Sequence, residues 1–215
     1  MFSKAELRRI YQDRAPSYDR WVSLYPLVGI NVPRHRVETV RSLKLRPGAT
    51  VVELGCGTGL NFPALVGAVG PGGRVIGVDL TQAMLARAQR RIASEGWQNV
   101  ELVEADAATV EFPQEVGGVV SMFALTLVAE YDAVILRASE ALRPGGRLAI
   151  FDLKAPQGWP RWLVRFAAWL NRPFGVTIDL AERHPWESIR RYLDMVEFRE
   201  FSAGMLYRAV GERIT

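Results

Sequence analysis

Cysteine, histidine and long apolar runs are scarce in this chain, and each scarcity excludes a class of function. The 215 residues include one cysteine and two histidines. One cysteine excludes an internal disulfide, and His35 and His184 show no metal-ligand spacing, so we expect no metal site. No run approaches the roughly twenty apolar residues of a membrane span, and the first residues lack the apolar core of a signal peptide. We therefore expect a cytoplasmic protein.

Basic residues are concentrated at both ends of the chain, around an acidic centre. The formal net charge is +4. Residues 1–46 hold ten Lys or Arg against four Asp or Glu, residues 47–155 eight against twelve, and residues 156–215 nine against seven. An arginine-rich genome would explain why only three of the 27 basic residues are lysine, but it would not explain the segregation. The basic flanks could face anionic lipid, nucleic acid or an anionic substrate.

Strand and helix patterns alternate through the centre of the chain. Strands are predicted at 50–54, 74–78, 99–103, 118–122 and 147–152, and helices between them at 60–69, 82–94 and 130–142. After helices near 160–171 and 185–193, two short strands at 195–201 and 204–211 are joined by a link that allows only antiparallel pairing. We predict an α/β fold: a Rossmann-like doubly wound sheet of about seven strands, mostly parallel, with an antiparallel C-terminal hairpin.

The most specific local pattern is a glycine-rich turn between the first two predicted strands. It reads Glu53-Leu-Gly-Cys-Gly-Thr-Gly59, and its glycines remove the Cβ where the backbone must turn sharply and approach a ligand. Asp79 ends the second strand, where a carboxylate can accept hydrogen bonds from a ribose diol. The spacing is G-x-G-x-G rather than G-x-G-x-x-G, which counts against a nicotinamide oxidoreductase. Acidic Glu53 also favours an amino group over a pyrophosphate as its neighbour.

Together with shorter segments, this loop resembles the class I S-adenosylmethionine (SAM) methyltransferases. The resemblance covers residues 47–152, and its detail is similar to the group of ubiquinone and menaquinone C-methyltransferases and bacterial phospholipid N-methyltransferases. The matching segments are Tyr18-Asp19, Val51 to Leu60, Gly77 to Asp79, Met84 to Ala88, Glu104 to Ala107 and Leu142 to Leu148. The resemblance implies SAM as the cofactor.

The same resemblance implies roles for individual residues. The backbone of Gly55 to Gly59 is expected to wrap the methionyl part, Asp79 to bind the ribose hydroxyls and Asp106 to accept from the adenine amino group, with Leu80 packed on adenine. The complete expected cofactor site is Glu53, Gly55, Cys56, Gly57, Gly59, Asp79, Leu80, Met84, Asp106, Ala107 and Phe123. In the alternative reading, the two aspartates cap turns and Leu80 and Met84 belong to the core.

A division into a lid and a core follows from the position of the matching segments. Residues 1–46 are expected to form a helical N-terminal lid, and Tyr18 within it is the candidate catalytic residue because it is placed to lie over the cofactor. Residues 47–215 are expected to form the SAM-binding core, with a helical insertion at about 156–194. In the alternative reading, Tyr18 only packs against the first helix.

Two observations bear on the methyl acceptor. The segment after the fourth strand, Val120 to Ala124, carries no Asp-Pro-Pro-Tyr-like run and no carboxylate, so we expect neither a nucleic-acid substrate nor a magnesium site. In the segment Trp159 to Arg172, arginines cluster on one helical face and aromatic residues on the other, which is typical of a helix at an anionic membrane surface. This helix could instead pack on its own domain or cover an apolar substrate pocket.

We therefore expect a SAM-dependent methyltransferase that acts on a lipid or lipid-like acceptor, either a phospholipid headgroup amine or a quinol ring. It would work at the membrane surface, as a peripheral protein on the inner face. The alternatives are a soluble methyltransferase of small molecules or natural products and a non-catalytic SAM-binding subunit.

Overall fold

The structure, a computed structural model, describes residues 2–23, 31–156, 158–160, 162, 164, 180 and 183–214. Within them the helices are α1 (Lys4–Arg14), α2 (Tyr18–Val22), α3 (Val32–Ser42), α4 (Phe62–Val69), α5 (Gln82–Glu95), α6 (Tyr131–Ala141) and α7 (Pro185–Tyr192). The strands are β1 (Thr50–Leu54), β2 (Arg74–Asp79), β3 (Val100–Glu104), β4 (Val116–Met122), β5 (Leu142–Leu153), β6 (Asp194–Phe201) and β7 (Leu206–Glu212). The predicted helix near 160–171, with most of the arginines and aromatic residues of the segment 159–172, lies outside the described residues.

The strands form one seven-stranded sheet in the order β3-β2-β1-β4-β5-β7-β6. Strands β1 to β5 are parallel, and β7 lies antiparallel to both β5 and β6. The predicted doubly wound sheet with an antiparallel C-terminal hairpin is confirmed. Because β2 and β3 extend the sheet on one side of β1 and β4 and β5 on the other, the strand order reverses between β1 and β4.

Alternating side chains of the central strands divide the core into two layers. Val52 of β1 is buried with apolar residues of α6 and α7, whereas its neighbour Val51 is buried with residues of α3, α4 and α5. Successive side chains of a strand point to opposite faces of the sheet, so one strand supplies both layers. The central strands therefore read as continuous apolar runs, as expected for a parallel sheet covered on both faces.

One predicted boundary is wrong: the strand predicted at 147–152 begins at Leu142, so Pro144 to Gly146, which are typical of a turn, lie inside β5. Val116 pairs with Leu142 and Gly118 with Arg147, so β5 advances five residues where β4 advances two. The N–H of Gly145 donates to the carbonyl of Arg213 at 2.8 Å, and the N–H of Arg213 donates to the carbonyl of Gly146 at 2.9 Å. The backbone polar groups of this bulge are thus satisfied by the chain that follows β7.

The fold brings the carboxyl ends of β1 to β5 to one edge of the sheet. In open α/β sheets, ligands bind outside this edge where the strand order reverses, and here that point lies between the loops after β1 and β4. The helices in the described ranges include none that is both long and apolar enough to cross a membrane. The division of the chain at residue 46 stays a prediction.

Candidate functional site

A cavity of about 300 Å³ lies at the carboxyl edge of the sheet, enclosed by the loops after β1 to β4 and by α1. Its size is at the lower end of the range for small-molecule sites. Many predicted site residues line it: Tyr18, Gly55, Gly57, Asp79, Leu80, Met84, Asp106, Ala107 and Phe123. Glu53, Cys56 and Gly59 do not line this cavity.

The glycine loop is packed tightly against the loop that follows β4. Gly55 has a φ of +68°, and a Cβ at this position would lie 2.2 Å from the Cβ of Ala124. Only glycine combines this backbone conformation with so close an approach. The neighbouring Cys56 is buried, and burial raises the pKa of its thiol well above the ordinary value. Cys56 is therefore a small core side chain and not a nucleophile.

Asp79 ends β2 with its carboxylate between two backbone N–H groups. Its Oδ2 accepts from the N–H of Gly57 at 2.8 Å, and its Oδ1 accepts from the N–H of Thr81 at 2.9 Å. Burial raises the pKa of Asp79, and these backbone hydrogen bonds act in the opposite direction. Each carboxylate oxygen can accept a second hydrogen bond. Asp79 thus holds the glycine loop in place and can still accept from the hydroxyls of a ligand.

Glu53 lies at the end of β1, beneath the glycine loop. Its Oε1 accepts from Nδ2 of Asn61, whereas its Oε2 is buried without a hydrogen-bond partner in the described part of the chain. Arg36 of α3 donates from Nη1 to Oδ1 of Asn61 at 2.7 Å. Burial raises the pKa of Glu53 to about 8, although Asn61 and Arg36 act to lower it. An unpaired, desolvated carboxyl oxygen beside the loop suits a cationic group of a ligand.

Helix α1 is held to the acidic rim of the cavity by ion pairs. Nζ of Lys4 lies 2.8 Å from Oδ2 of Asp106 and 3.0 Å from Oε1 of Glu130, and Arg8 pairs with Glu104. Hydrogen bonds to Asp106 and Glu130 raise the pKa of Lys4. We call Lys4, Asp106 and Glu130 the Lys4 bridge. It connects the N-terminal helix to the loops that follow β3 and precede α6.

The Lys4 bridge engages the carboxylate that sequence reasoning assigned to adenine. Partial burial acts to raise the pKa of Asp106, but the Lys4 ammonium and the N–H of Ala108 outweigh it, and the net pKa is lowered. The Ala108 N–H donates to Oδ1 of Asp106 at 2.8 Å. Asp106 therefore also stabilises the turn after β3, and its role toward adenine remains a prediction.

Tyr18 and its neighbour Asp19 attach α2 to the glycine loop. Oδ1 of Asp19 accepts from the hydroxyl of Thr58 at 2.5 Å, and Oδ2 pairs with Nη2 of Arg91 at 2.8 Å. The ring of Tyr18 lies 6.3 Å from that of Tyr11, and both residues line the cavity. Tyr18 is thus part of the wall formed by residues 1–46. Whether it takes part in catalysis stays a prediction.

An aromatic group, which we call the aromatic wall, packs at the carboxyl ends of β4 and β5, and Phe123 is its member that lines the cavity. It consists of His35, Phe123, Phe151 and Phe201. The fully buried Phe151 ring is 5.2 Å from Phe123 and 6.0 Å from Phe201, and the His35 ring stacks on it at 5.0 Å. Phe123 has a φ of +59°, a strained conformation for a bulky side chain. The strained backbone directs the end of β4 into the cavity wall.

Behind this region lies a buried carboxyl group that sequence reasoning missed. Asp152 is 3% exposed, and its oxygens accept from the N–H groups of Thr126 at 3.1 Å and Leu153 at 2.8 Å. Burial raises the pKa of Asp152 to about 6. The hydroxyl of Tyr207, its partner on β7, is also buried. Asp152 therefore supports the 3₁₀ turn Leu125–Leu127, which forms part of the cavity wall.

The sequence analysis did not identify Asp152, Lys4 and Arg36 as residues of the site, and these three differ in how clearly the sequence indicates them. Asp152 ends a predicted strand and could have been found by the rule that exposed Asp79. Lys4 and Arg36 carry no local signal, because their partners Glu130 and Asn61 are 126 and 25 residues away. In the described ranges, no group of three or more His, Cys, Asp or Glu side chains is arranged to hold a metal ion.

Comparison with known proteins identifies relatives of this architecture. Residues 51–146 match a protein family described as a methyltransferase domain. A demethylmenaquinone methyltransferase of Listeria monocytogenes is 27% identical over 213 residues, which cover 94% of this chain and 88% of that protein. The matched region extends beyond the central domain into both flanks.

Solved structures share the fold. A SAM-dependent methyltransferase from Aquifex aeolicus is 18% identical, with a TM-score of 0.60 over 83% of this chain and 89% of that chain. A chain in the complex of a Haloferax volcanii methyltransferase activator with a methyltransferase is 19% identical, with a TM-score of 0.73 over 97% of this chain and 98% of that chain. At these identities the similarity establishes a shared fold.

Proposed function

Since the chain is a class I SAM-dependent methyltransferase, we propose that it methylates a lipid-like aromatic acceptor, a quinol ring, at a membrane surface. SAM supplies an activated methyl group on a sulfonium, so the protein has to position the acceptor, exclude water and accept or release a proton. The observation that carries the acceptor class is the ring of Phe123, which lines the cavity after β4 and is backed by the rest of the aromatic wall.

The residues around the cavity fit SAM. Asp79 lines the cavity and retains acceptor capacity for the ribose hydroxyls. Glu53 is buried behind the lining residues, and its unpaired Oε2 would attract the ammonium of the methionyl part from there. Leu80 and Met84 supply apolar surface for adenine near Asp106. Gly57 lines the cavity, and the space where its Cβ would stand is open, so its backbone can approach the ligand closely.

Residues of the N-terminal segment would exclude water from this site. The Lys4 bridge connects α1 to the loops after β3 and before α6, and the pair formed by Asp19 and Arg91 connects α2 to α5. Closing these contacts over a bound ligand removes solvent from the reacting groups, which strengthens the electrostatic interactions within the site.

A quinol acceptor is supported by the chemistry of the wall and by the relatives. Flat rings such as Phe123 offer apolar stacking surface to a planar acceptor. The demethylmenaquinone methyltransferases that match nearly the whole chain are named for an acceptor of that class. The alternative lipid acceptor is a phospholipid headgroup amine. Such an amine would need a binding site for a small cation.

A membrane-surface location is supported by charge and by exposed aromatic residues. Residues 1–46 carry ten basic and four acidic side chains. Trp21 of α2 is 50% exposed, and Trp162, in the segment that sequence analysis linked to membranes, is 69% exposed. Tryptophan favours the boundary between water and lipid, and basic residues are attracted to anionic lipid.

The proposal is tested by mass spectrometry of the acceptor. Purified protein and SAM would be incubated with reduced demethylmenaquinone in detergent and, separately, with phosphatidylethanolamine vesicles. We expect a gain of one methylene mass on the quinol and none on the phospholipid. Methylation of the phospholipid alone would replace the quinol assignment with the headgroup alternative, and methylation of neither would contradict the proposed acceptor class.

A further inference from the structure

Arg36 places a cation between the glycine loop and the aromatic wall. Its Nη1 donates to Oδ1 of Asn61 at 2.7 Å, and its guanidinium carbon lies 6.0 Å from the centre of the Phe123 ring. Asn61 follows the loop after β1, whereas Phe123 follows β4. Arg36 therefore lies at the reversal of strand order, where a ligand held by one half of the sheet meets a ligand held by the other.

The guanidinium retains hydrogen-bonding capacity in this position. It has five N–H donors, and within the described part of the chain Asn61 is its hydrogen-bond acceptor and no carboxylate forms an ion pair with it. Burial lowers the pKa of Arg36, while the nearby Tyr18, Glu53 and Asp19 act to raise it. A desolvated cation with donors remaining is a strong partner for an anionic oxygen.

We infer that Arg36 binds the anionic oxygen of the acceptor while the acceptor ring lies against Phe123 in the aromatic wall. This inference rests on the proposed function and specifies it further, since it makes the quinolate the form that is methylated. Phe123 lines the cavity, and the Arg36 guanidinium lies over its ring. An acceptor ring that contacts Phe123 from the cavity would therefore bring its ring oxygen towards the unused donors. Neutral alkenes and protonated amines offer no such oxygen.

The assigned step balances as follows. The quinol loses one O–H proton to solvent, and the resulting oxyanion is held by Arg36. The ring carbon beside the oxyanion forms a bond to the methyl carbon, and the carbon–sulfur bond breaks with its electron pair remaining on sulfur. The ring carbon then loses its hydrogen as a proton and the oxygen regains one, which restores the aromatic quinol. One proton is released in each turnover.

The test compares Arg36→Gln and Arg36→Lys with Arg41→Gln, an exposed arginine on the same helix. We expect Arg36→Gln to lower kcat/KM for demethylmenaquinol about 10- to 100-fold, the range for a hydrogen bond to a charged group. The acidic limb of its pH profile should move to higher pH, because the oxyanion is no longer stabilised. Arg36→Lys should recover part of the rate, and Arg41→Gln should behave as wild type.

The charged or titrating groups around Arg36 are Tyr18, Asp19, Glu53 and Arg91. Because the pKa of Glu53 is raised to about 8, the pH profile is also recorded in a Glu53→Gln background, where the shift caused by Arg36→Gln should persist. Thermal melts of all variants establish that the comparison is made on folded protein.

Binding measurements distinguish the acceptor oxygen from the carboxylate of the cofactor. S-adenosylhomocysteine carries that carboxylate, and its decarboxylated form keeps the ammonium but lacks the carboxylate. We expect Arg36→Gln to bind both as wild type does. Selective loss of affinity for S-adenosylhomocysteine would assign Arg36 to the cofactor and overturn the inference. A wild-type pH profile in Arg36→Gln would overturn the role of Arg36 and leave the quinol acceptor in place. Absence of quinol methylation by the wild-type protein would overturn the proposed acceptor together with the role of Arg36.

Discussion

Lys4 on the first helix lies 2.8 Å from Asp106, the carboxylate at the end of the third strand that was expected to meet adenine. The side chains of Lys4 and of Glu130, its second partner, are each about half-exposed. The contact therefore contributes little to the stability of the chain. Because α1 lies over the cavity, we expect this contact to affect the rate at which a ligand enters or leaves the site more than it affects stability.

We expect Lys4→Ala combined with Arg8→Ala to loosen helix α1 and to increase the rate at which SAM dissociates. The double variant removes three ion pairs, and exposed ion pairs contribute about 0.2–1 kcal/mol each, so the dissociation rate should rise by at most about two decades. Stopped-flow displacement of SAM measures this rate. Arg9→Ala, an exposed residue on the same helix, is the matched control. Equal dissociation rates in the two variants would show that α1 does not gate the cavity.

Asp79→Ala should weaken SAM binding while leaving the fold intact. The variant loses hydrogen bonds to a charged group, which contribute about 1.5–3 kcal/mol, so the affinity should fall by one to two decades. Titration calorimetry gives the affinity. Asp79 also accepts hydrogen bonds from the N–H groups of Gly57 and Thr81. Circular dichroism of the variant is therefore recorded with the calorimetry, to establish that the fold is retained. Wild-type affinity in a folded variant would remove Asp79 from the cofactor site.

The buried carboxyl of Glu53 should make stability fall as pH rises. Its pKa is about 8 in the folded chain, against an ordinary value of 4.5. Between pH 4.5 and about pH 8, Glu53 is protonated in the folded chain and ionised in the unfolded chain. The unfolded chain therefore binds fewer protons, and the free energy of unfolding decreases as the pH rises. Relative to wild type, Glu53→Gln should therefore melt at progressively higher temperature from pH 5 to pH 9. Glu95→Gln, an exposed change, should follow the wild-type curve throughout.

SAM binding should release a proton at neutral pH. A Glu53 with a pKa of about 8 is largely protonated at pH 7, and an ammonium placed beside its unpaired oxygen favours the ionised form. Calorimetry in buffers with different ionisation enthalpies counts the protons released. We expect up to one proton for wild type and none for Glu53→Gln. Identical proton counts would indicate that the ammonium does not contact Glu53.

Trp162→Ala should reduce binding to anionic vesicles without changing the melting temperature, because the side chain is 69% exposed. Binding should also weaken at high salt, since the Debye length contracts to about 3 Å at 1 M. Sedimentation with anionic and neutral vesicles measures both effects. Leu136→Ala, at another exposed apolar position, is the control. A lower melting temperature with unchanged vesicle binding would mean that Trp162 packs within the protein.

Sequence reasoning predicted the sheet and the loops around the cavity because both depend on local patterns. Apolar strands such as Val51 to Leu54 and the glycines after them are legible in a few neighbouring residues. The bulge at the start of β5 was missed, because Pro144 to Gly146 is typical of a turn and only the chain after β7 shows that it pairs. Arg36 was missed for the same reason. Its partner Asn61 is brought close by tertiary packing of α3, which local spacing does not encode.

The position of β7 between β5 and β6 has a consequence for the order in which the chain can fold during synthesis. Leu142–Leu153 lies at the edge of the parallel strands until Leu206–Glu212 pairs with it from Arg147 to Leu153. Until those later residues leave the ribosome, an apolar edge remains open to pairing with other chains. Because Phe151 lies in this strand and Phe201 in the one beyond, the aromatic wall is assembled at the same late stage. The side proposed for the acceptor thus depends on long-range contacts, which form slowly, whereas the side proposed for the cofactor can form from residues already made.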